Sequence, residues 1–375
     1  MWGGGERHTL ALASILRGRG HQVCVIQCGH DQFAPYLVGE HRLALEDRDP
    51  GIVTWLRVLR RAAPDVICEV RGGHSRFGCS LDVAAWTLGI RLMPIEHSPY
   101  PPPPAVGDYG RRRRIPMHTG RLILHSARRL IHKLSVTHTI AVAEHVGTSA
   151  SRYFGLMSED LSVVHNGIDP ARFGFSSEAR SRIRAELGLD DCCFVVGAIG
   201  RLSDEKRLGL LLRAFSLFRR RCRADAALVI AGDGPAKSEL CGLRDILGLQ
   251  SSVQLLGFRD DVHEVLSAMD VVASASASEG LSLGLLEALA AERLCVCLPY
   301  AGLDEVASSN PAVEVVRSRE LADLVDALVV VSELSPEERT AIGARGRVDV
   351  QRRFTEKTQL LRIATRLEEC GNRPR

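Results

Sequence analysis

Short apolar runs alternate with longer amphipathic stretches along this chain, and this alternation constrains the fold more than any other feature of the sequence. Apolar runs of about five residues are typical of strands buried on both faces, and the amphipathic stretches between them are typical of crossover helices. The series starts a second time after the linker 166–170. A chain of 375 residues has room for two domains of roughly 150 residues each. We therefore predict two doubly wound α/β domains that face a cleft.

The periodicity also predicts individual elements. In the first half we predict helices at 7–19 and 121–134, and strands at 23–27, 66–70, 91–95 and 139–142. In the second half we predict strands at 194–199, 227–231, 253–256, 271–274 and 294–298, with a helix over 208–218. We expect an N-terminal domain over 1–170, a C-terminal domain over 171–350, and a helix in 351–375 that packs back toward the N-terminal domain.

The glycine-rich start of the chain departs from this pattern. A glycine-rich turn that opens a helix normally follows a strand, and here only Met1 and Trp2 precede the glycines. A parallel sheet without its first strand would leave backbone groups unpaired. We therefore expect the first strand to be missing, either because the coding sequence begins upstream or because the chain is a fragment or a decayed copy.

The composition excludes several classes of protein. Apolar residues make up 45% and charged residues 25%, which is typical of globular proteins and not of disordered or collagen-like chains. We find neither an apolar run long enough for a membrane span nor a signal-peptide pattern, and expect a cytoplasmic protein. Residues 1–170 hold 20 basic against 15 acidic side chains, and 171–375 hold 28 against 30. This balance does not predict a nucleic-acid binder.

The segment 276–288 carries the most chemical information. It runs from a predicted strand end through a glycine-containing turn into an apolar helix, which Ser282 could cap. Glu279 lies in the turn, and Glu287 lies inside the apolar helix, where a carboxylate is costly unless it is paired, functional or able to reach the surface. A glycosidase pair is a competing interpretation. If the span were helical throughout, the two glutamates would lie about 12 Å apart, beyond the roughly 5–9.5 Å that hydrolytic carboxylates need.

A second segment, 197–207, places two cations at the end of a predicted strand. Arg201 and Lys206 flank the start of the next helix, and Lys206 is one of only four lysines in the chain. Two cations at a strand's carboxyl end suit a diphosphate, with help from the helix dipole. The competing interpretation is a solvated loop with ordinary charges.

These segments together resemble a known family, glycosyltransferase family 4, also called glycosyl transferases group 1. The resemblance rests on four motifs in the family's order and spacing: Gly200-Arg201 with Lys206, Glu279-x7-Glu287, the linker 164–169 and the turn 231–235. It implies a retaining enzyme with the B-type fold, in which two Rossmann-like domains face a cleft.

The resemblance also implies donor-binding roles. Arg201 and Lys206 would hold the donor's diphosphate, and Glu287 would bind the ribose hydroxyls. Glu279 would contact the transferred sugar near the reacting carbon and is the first candidate catalytic residue. The backbone of the same turn would assist it at Gly280, Leu281 and Ser282.

Further residues match other parts of the family's cleft. Phe258 and Arg259 resemble the loop that packs on the base. His97 matches the family's cleft histidine and is the second candidate catalytic residue. The family's acceptor-side glycine loop corresponds to Gly3, Gly4 and Gly5.

The chemistry suits these residue types, because fixed cations stabilise the charge that builds on a leaving diphosphate. The resemblance implies that a hexose moves from a UDP- or GDP-linked sugar to a hydroxyl of a glycan or lipid-linked acceptor, with no cofactor and no metal. Two alternatives stay open: a non-catalytic or truncated relic of the family, and a hydrolysing sugar-nucleotide epimerase of the same fold.

The stretch 111–134 combines basic and apolar residues. We expect one apolar and one basic face on a helix over 121–134. The apolar face would hold Leu122, Ile123, Leu130, Ile131 and Leu134, and the basic face Arg121, Arg128, Arg129 and Lys133. Such a helix can rest on an anionic membrane surface, which would make the protein peripheral on the inner face of the membrane. The alternative is a core-packed helix with a solvated face. Aromatic residues are absent from the run, so nucleic acid is not an expected partner.

Overall fold

The computed structural model of this protein describes residues 4–28, 42–45, 50–71, 80–100 and 116–372, with backbone alone at 4–7, 27–28, 42–45 and 116–124. The chain divides into two compact units. The C-terminal unit spans 166–358, and the N-terminal unit combines the residues before 166 with those from 359 onward. The predicted boundaries at 170 and 350 lie a few residues from these positions.

The N-terminal unit contains a parallel sheet with helices on both faces. Its elements before residue 166 are α1 (Gly4–Gly18), β1 (Val25–Cys28), β2 (Arg42–Leu45), α2 (Ile52–Ala62), β3 (Val66–Arg71), α3 (Ser80–Thr87), β4 (Arg91–Glu96), α4 (Pro116–Ser135), β5 (Thr139–Ala141), α5 (Glu144–Phe154) and β6 (Leu161–Val163). Strands β3, β4, β5 and β6 pair in that order, and β1 and β2 form a separate parallel pair.

The C-terminal unit is a doubly wound domain. Its elements are α6 (Ser177–Glu186), β7 (Phe194–Ile199), α7 (Leu208–Phe218), β8 (Ala226–Ala231), α8 (Lys237–Ile246), β9 (Val253–Gly257), α9 (Val262–Ala268), β10 (Val271–Ser274), α10 (Leu283–Ala290), β11 (Leu294–Cys297), α11 (Asp304–Ala307), β12 (Val313–Val315), α12 (Leu321–Glu333) and α13 (Pro336–Arg353). The sheet order β12-β11-β10-β7-β8-β9 is parallel throughout. The first strand therefore lies in the middle, and the chain builds outward from it in both directions.

The last helix, α14 (Glu356–Asn372), crosses the division between the units. Its residues Leu360, Ile363 and Leu367 are buried in the core of the N-terminal unit, beside Leu12 of α1 and Ile95 of β4. The opposite face of the same sheet is covered by α2 and α3. One face of this sheet is thus buried by helices from both ends of the sequence, α1 and α14, and the other by α2 and α3.

The prediction of two parallel-sheet α/β domains is confirmed, and the predicted strands of the C-terminal domain lie within a residue or two of the observed ones. The structure differs from the prediction at the N-terminus. Helix α1 begins at Gly4 and not at residue 7, so Gly4 and Gly5 form its first turn and not a loop before it. Strands β2, β6 and β12 were not predicted. They have only three or four residues each, too few to show a periodic pattern.

Candidate active site

The candidate site lies where strands β7 and β10 end side by side. These strands are neighbours in the sheet, but the chain leaves β7 toward β8 and leaves β10 toward β11, on the other side. Such a switch point opens a crevice beyond the carboxyl ends of the strands, where doubly wound sheets bind ligands. The segments that follow both strands line one pocket, which includes the following side chains of the predicted site: Arg201, Lys206, Glu279 and Ser282.

Lys206 and Glu279 meet across this switch point. A short 3₁₀ turn at Asp204–Lys206 carries the lysine, and its Nζ lies 2.5 Å from Glu279 Oε1. The Ser276 hydroxyl donates a second hydrogen bond to the same oxygen, at 2.7 Å. The two charged side chains are 22% and 12% exposed, so water screens the pair only partly. The predicted diphosphate and sugar contacts are therefore direct neighbours, although 73 positions separate them in sequence.

Arg201 supplies a second cation to the same pocket. It follows the bend at Gly200 and is exposed. In the described part of the chain, its side chain makes neither an ion pair nor a hydrogen bond. An arginine that is not committed to a protein carboxylate can present its planar donors to two phosphate oxygens at once.

The turn before α10 is held by a residue from the linker. The Asn166 side-chain amide donates to the Leu281 carbonyl oxygen at 3.2 Å, and Asn166 is buried. Ser282 occupies the N-cap position, but its side chain makes no capping hydrogen bond, so the expected cap is wrong. The Ser282 side chain therefore does not cap the amides at the start of α10, and amides at a helix N-terminus suit an anionic ligand.

Glu287 lies in α10 and is partly buried. The helix begins only at Leu283, so the segment from Glu279 to Glu287 is not helical throughout. The 12 Å separation calculated for a continuous helix therefore does not apply to this chain.

Glycines allow the turns after β7 and β8 to pack closely. The backbone of Gly232 has a φ of 153°, and a Cβ placed there would lie 1.8 Å from the Gly200 carbonyl oxygen. A Cβ on Gly234 would lie 2.3 Å from the Leu202 carbonyl oxygen. Close backbone packing thus explains the glycines of the turn 231–235. This packing holds the turn against the loop that carries Arg201 and Lys206.

The pocket also contains two buried cysteines, Cys295 and Cys297. Burial, together with the negative charge of Glu279, raises the pKa of Cys297 to about 12. This thiol stays protonated at neutral pH, and a protonated thiol is a poor nucleophile.

The predicted base-packing residues follow β9 and do not line this pocket. Phe258 is 43% exposed and presents an aromatic surface. Arg259 forms a bidentate pair with Asp261, at 2.7 Å for both contacts, and a further ion pair with Glu186. These hydrogen bonds raise the pKa of Arg259. In the structure, its guanidinium anchors the loop to α6.

The predicted acceptor-side residues belong to the N-terminal unit, whereas the pocket belongs to the C-terminal unit. His97 follows β4, and its ring lies 6.2 Å from the His8 ring. Burial, helped by His8, lowers the pKa of His97 to about 3. The imidazole is therefore neutral at physiological pH and can act through hydrogen bonds. Gly3 lies outside the described residues.

The structure shows which side chains of the basic helix are buried and which are exposed. The predicted arginines are partly buried against α5: Arg129 Nε donates to the Phe154 carbonyl oxygen at 3.2 Å, and Arg128 approaches the Tyr153 hydroxyl at 3.5 Å. Leu130 and Leu134 are 60% and 52% exposed. Two apolar side chains therefore face solvent, while Arg129 binds the carboxyl end of α5 and Arg128 contacts a side chain of that helix. Residues 111–115 lie outside the described residues.

Two absences hold for the described ranges alone. They contain no group of three or more histidine, cysteine, aspartate or glutamate residues that could hold a metal ion. They also contain no helix that is both long and apolar enough to cross a membrane.

Sequence reasoning missed three features near the candidate residues. Asn166 and Ser276 position the Glu279 turn, and a single polar residue beside a strand end gives no distinctive signal. A buried network around Arg71 lies at the end of β3, next to His97. The sequence does indicate this network, because Glu69, Arg71 and Glu96 are charged residues inside otherwise apolar strands.

Comparison with known proteins shows which protein family the chain belongs to. Residues 2–172 match the model of Glycosyltransferase Family 4, and residues 179–349 match the model of Glycosyl transferases group 1. The two matches are consecutive and together take in most of the chain. The chain therefore belongs to this glycosyltransferase family.

Curated relatives match over part of their length. The chain is 32% identical over 147 residues to an N-acetylgalactosamine-N,N'-diacetylbacillosaminyl-diphospho-undecaprenol 4-alpha-N-acetylgalactosaminyltransferase of Campylobacter jejuni, which is 39% of this chain and 37% of that protein. It is 27% identical over 175 residues to a UDP-Gal:alpha-D-GlcNAc-diphosphoundecaprenol alpha-1,3-galactosyltransferase of Escherichia coli, which is 46% of this chain and 45% of that protein. The alignments thus span less than half of either relative.

A solved structure resembles the whole chain. HepE of Anabaena, in complex with UDP-glucose, has a TM-score of 0.79 at 21% identity, over 98% of this chain and 97% of that chain. This similarity shows the B-type glycosyltransferase fold.

Proposed function

We propose that this chain is a retaining, metal-independent glycosyltransferase that moves a hexose from a UDP- or GDP-linked sugar to a hydroxyl of a glycan or lipid-linked acceptor. The observation that carries the proposal is the meeting of Lys206, Glu279 and Arg201 at the switch point of the C-terminal sheet. The nucleotide complex of HepE and the diphosphoundecaprenol named for two relatives support the donor and acceptor classes.

The donor's diphosphate would lie against Arg201, Lys206 and the amides at the start of α10. Both cations line the same pocket, and negative charge is favoured at a helix N-terminus. Glu279 would then bind hydroxyls of the sugar beyond the diphosphate, and Glu287 would bind the ribose. Glu279 is positioned for this by Ser276 and is only 12% exposed.

Transfer breaks the bond between the anomeric carbon and the diphosphate oxygen and forms one to the acceptor oxygen. With retention, the acceptor attacks from the face that the diphosphate leaves, and the acceptor's proton passes to the departing phosphate. Fixed cations stabilise the negative charge that accumulates there. This scheme needs no protein nucleophile, which agrees with the high pKa of Cys297.

A lipid-linked acceptor would bring the protein to an anionic membrane surface, and helices α2, α3 and α4 suit this contact. α2 packs on α3, and α3 packs on α4. The only carboxylate in the three helices, Asp82, is buried. Among the described side chains of these helices, the large apolar ones that are exposed are Ile52, Val53, Trp86, Leu130 and Leu134. Exposed apolar side chains among cations are typical of helices that rest on anionic lipid.

The membrane contact is tested by co-sedimentation with anionic liposomes at low salt. Leu130→Glu combined with Leu134→Glu should release the protein from the vesicles. Val348→Glu, at a position 63% exposed in the C-terminal unit, is the matched control and should still sediment. Failure of the unmodified protein to sediment would contradict the contact.

The donor is identified by a thermal-shift panel with UDP, GDP, ADP and NAD. A ligand at about 100 times its dissociation constant adds about 2.7 kcal/mol of stability, which moves the melting temperature by several degrees. We expect either UDP or GDP to raise the melting temperature, and ADP and NAD to leave it unchanged. Lys206→Ala should remove most of this rise, whereas Lys357→Ala, at an exposed lysine outside the pocket, should retain it.

Transfer is then measured as acceptor-dependent release of the nucleoside diphosphate, with and without EDTA. Retained activity in EDTA and a product with the donor's anomeric configuration would support the metal-independent, retaining mechanism. Release without an acceptor would indicate a hydrolysing epimerase instead. A cooperative melt with no shift and no release would indicate a non-catalytic relic. Full activity in Glu279→Ala would contradict the assigned site.

A further inference from the structure

A buried charge network lies at the carboxyl edge of the N-terminal sheet. Arg71 ends β3, Glu96 ends β4, and the two residues are opposite each other in the parallel register. The Arg71 guanidinium lies 2.6 Å from Glu69, 2.9 Å from Asp82 and 3.6 Å from Glu96. All four residues are 8% exposed or less. Desolvation makes such a network costly unless each charge is compensated.

One guanidinium faces three carboxylates, so the network has an excess of negative charge when all of them are ionised. Burial raises the pKa of Glu96 to about 7 and also raises that of Glu69, whereas Arg71 keeps its proton. Glu96 also accepts a hydrogen bond from the Tyr100 hydroxyl, at 2.9 Å.

Helix α4 brings two more groups to the network. Burial, together with the charge of Arg71, lowers the pKa of His132 to about 3, so this ring is neutral at physiological pH. The Ser135 hydroxyl lies 3.5 Å from Asp82. With a pKa of about 7, Glu96 exchanges a proton near neutral pH, whereas His132 does not.

The network adjoins the backbone of His97. The His97 backbone N–H donates to the Arg71 carbonyl oxygen at 2.8 Å. The bond between Tyr100 and Glu96 joins the two ends of the turn that contains His97. Tyr100 is itself fixed, because its backbone N–H donates to the Ser149 hydroxyl and its ring stacks on Tyr153 at 4.8 Å. The backbone of His97 is thus held from both strands and from α5.

We propose that Arg71, Glu96 and Tyr100 are positioning residues for His97, and that they orient it for the transfer step only while Glu96 is ionised and bound by the Tyr100 hydroxyl. This inference rests on the proposed function and on the family resemblance that makes His97 a candidate catalytic residue. A merely structural network would change stability alone. A positioning network changes kcat and its pH dependence and leaves donor binding intact, because the nucleotide pocket belongs to the C-terminal unit.

The sharpest variant is Tyr100→Phe, which removes the hydroxyl and keeps the stacked ring. A lost hydrogen bond corresponds to a fall in kcat of about five- to tenfold at neutral pH, with the KM for the donor unchanged. The Tyr100 hydroxyl holds the Glu96 pKa down. Its loss should therefore move the acid limb of kcat to higher pH. Tyr153→Phe is the matched control in the same ring stack and should leave kcat and its pH profile unchanged.

A second measurement does not need activity. The imidazole signals of His97 in a ¹³C–¹H spectrum, assigned by their loss in His97→Gln, should shift in Tyr100→Phe and stay in place in Tyr153→Phe. Unchanged His97 signals in both variants would overturn the proposal, as would equal falls in kcat and melting temperature in both. If the unmodified protein transfers no sugar, the proposed function fails, and the spectra still test whether Tyr100 positions His97.

Discussion

Replacing Glu279 with glutamine should strengthen the binding of nucleoside diphosphates while it abolishes transfer. The substitution keeps the shape of the side chain and removes its charge. In the structure, that charge holds Lys206 at 2.5 Å, so a diphosphate must compete with the carboxylate for the lysine. With glutamine at this position, the lysine would be free to bind phosphate.

The magnitude follows from the geometry of the pair. At 2.5 Å and an effective dielectric constant of about 20, the Coulomb attraction is roughly 7 kcal/mol. Lost hydration cancels most of it, and hydrogen bonds to charged groups contribute about 1.5–3 kcal/mol net, against about 0.5–1.5 for neutral partners. The carboxylate therefore costs the diphosphate about 1–2 kcal/mol, which corresponds to an affinity roughly 5- to 30-fold tighter in Glu279→Gln.

Isothermal titration calorimetry with the nucleoside diphosphate that stabilises the unmodified protein measures this change. Glu314→Gln removes the same charge from an exposed position in the edge strand β12 and serves as the control. Equal or weaker binding by Glu279→Gln would refute the idea that the carboxylate competes for Lys206. An equal gain in Glu314→Gln would show that net charge alone is responsible.

Two further predictions concern stability. Gly232→Ala should destabilise the C-terminal unit by about 1–3 kcal/mol, because its Cβ would collide with the Gly200 carbonyl. Gly242→Ala, in α8 with open space around it, should instead stabilise by about 0.5–1 kcal/mol in urea titrations. A Gly232→Ala variant as stable as the unmodified protein would contradict this packing. Another prediction concerns the pH dependence of stability. Folding lowers the pKa of His132 from 6.5 to about 3. Between these two values the unfolded state binds one more proton than the folded state, so the free energy of unfolding decreases as the pH falls through this window. His132→Phe should keep the stacking on Phe154 and flatten that loss in acid-unfolding curves; an unchanged slope would refute it.

The central strands of the C-terminal unit could be predicted from the sequence because each is a short apolar run between turn residues. Such strands are buried on both faces, so every position in them must be apolar. The shortest strands, including Val313–Val315, could not be predicted, because three residues do not define a period. Which face of α4 is exposed could not be predicted from amphipathicity alone. Arg128 and Arg129 are long enough to lie along a neighbouring helix, which periodicity does not register.

The sequence by itself determined the two α/β domains, the family and the identity of the charged residues at strand ends, since these depend on local pattern and spacing. Only the tertiary structure decided which of those residues meet. Lys206 and Glu279 become neighbours because β7 and β10 pair in the sheet, and Arg71 and Glu96 become neighbours because β3 and β4 end together. Strand order and register arise from long-range packing, and local sequence spacing does not encode the distance between two strand ends.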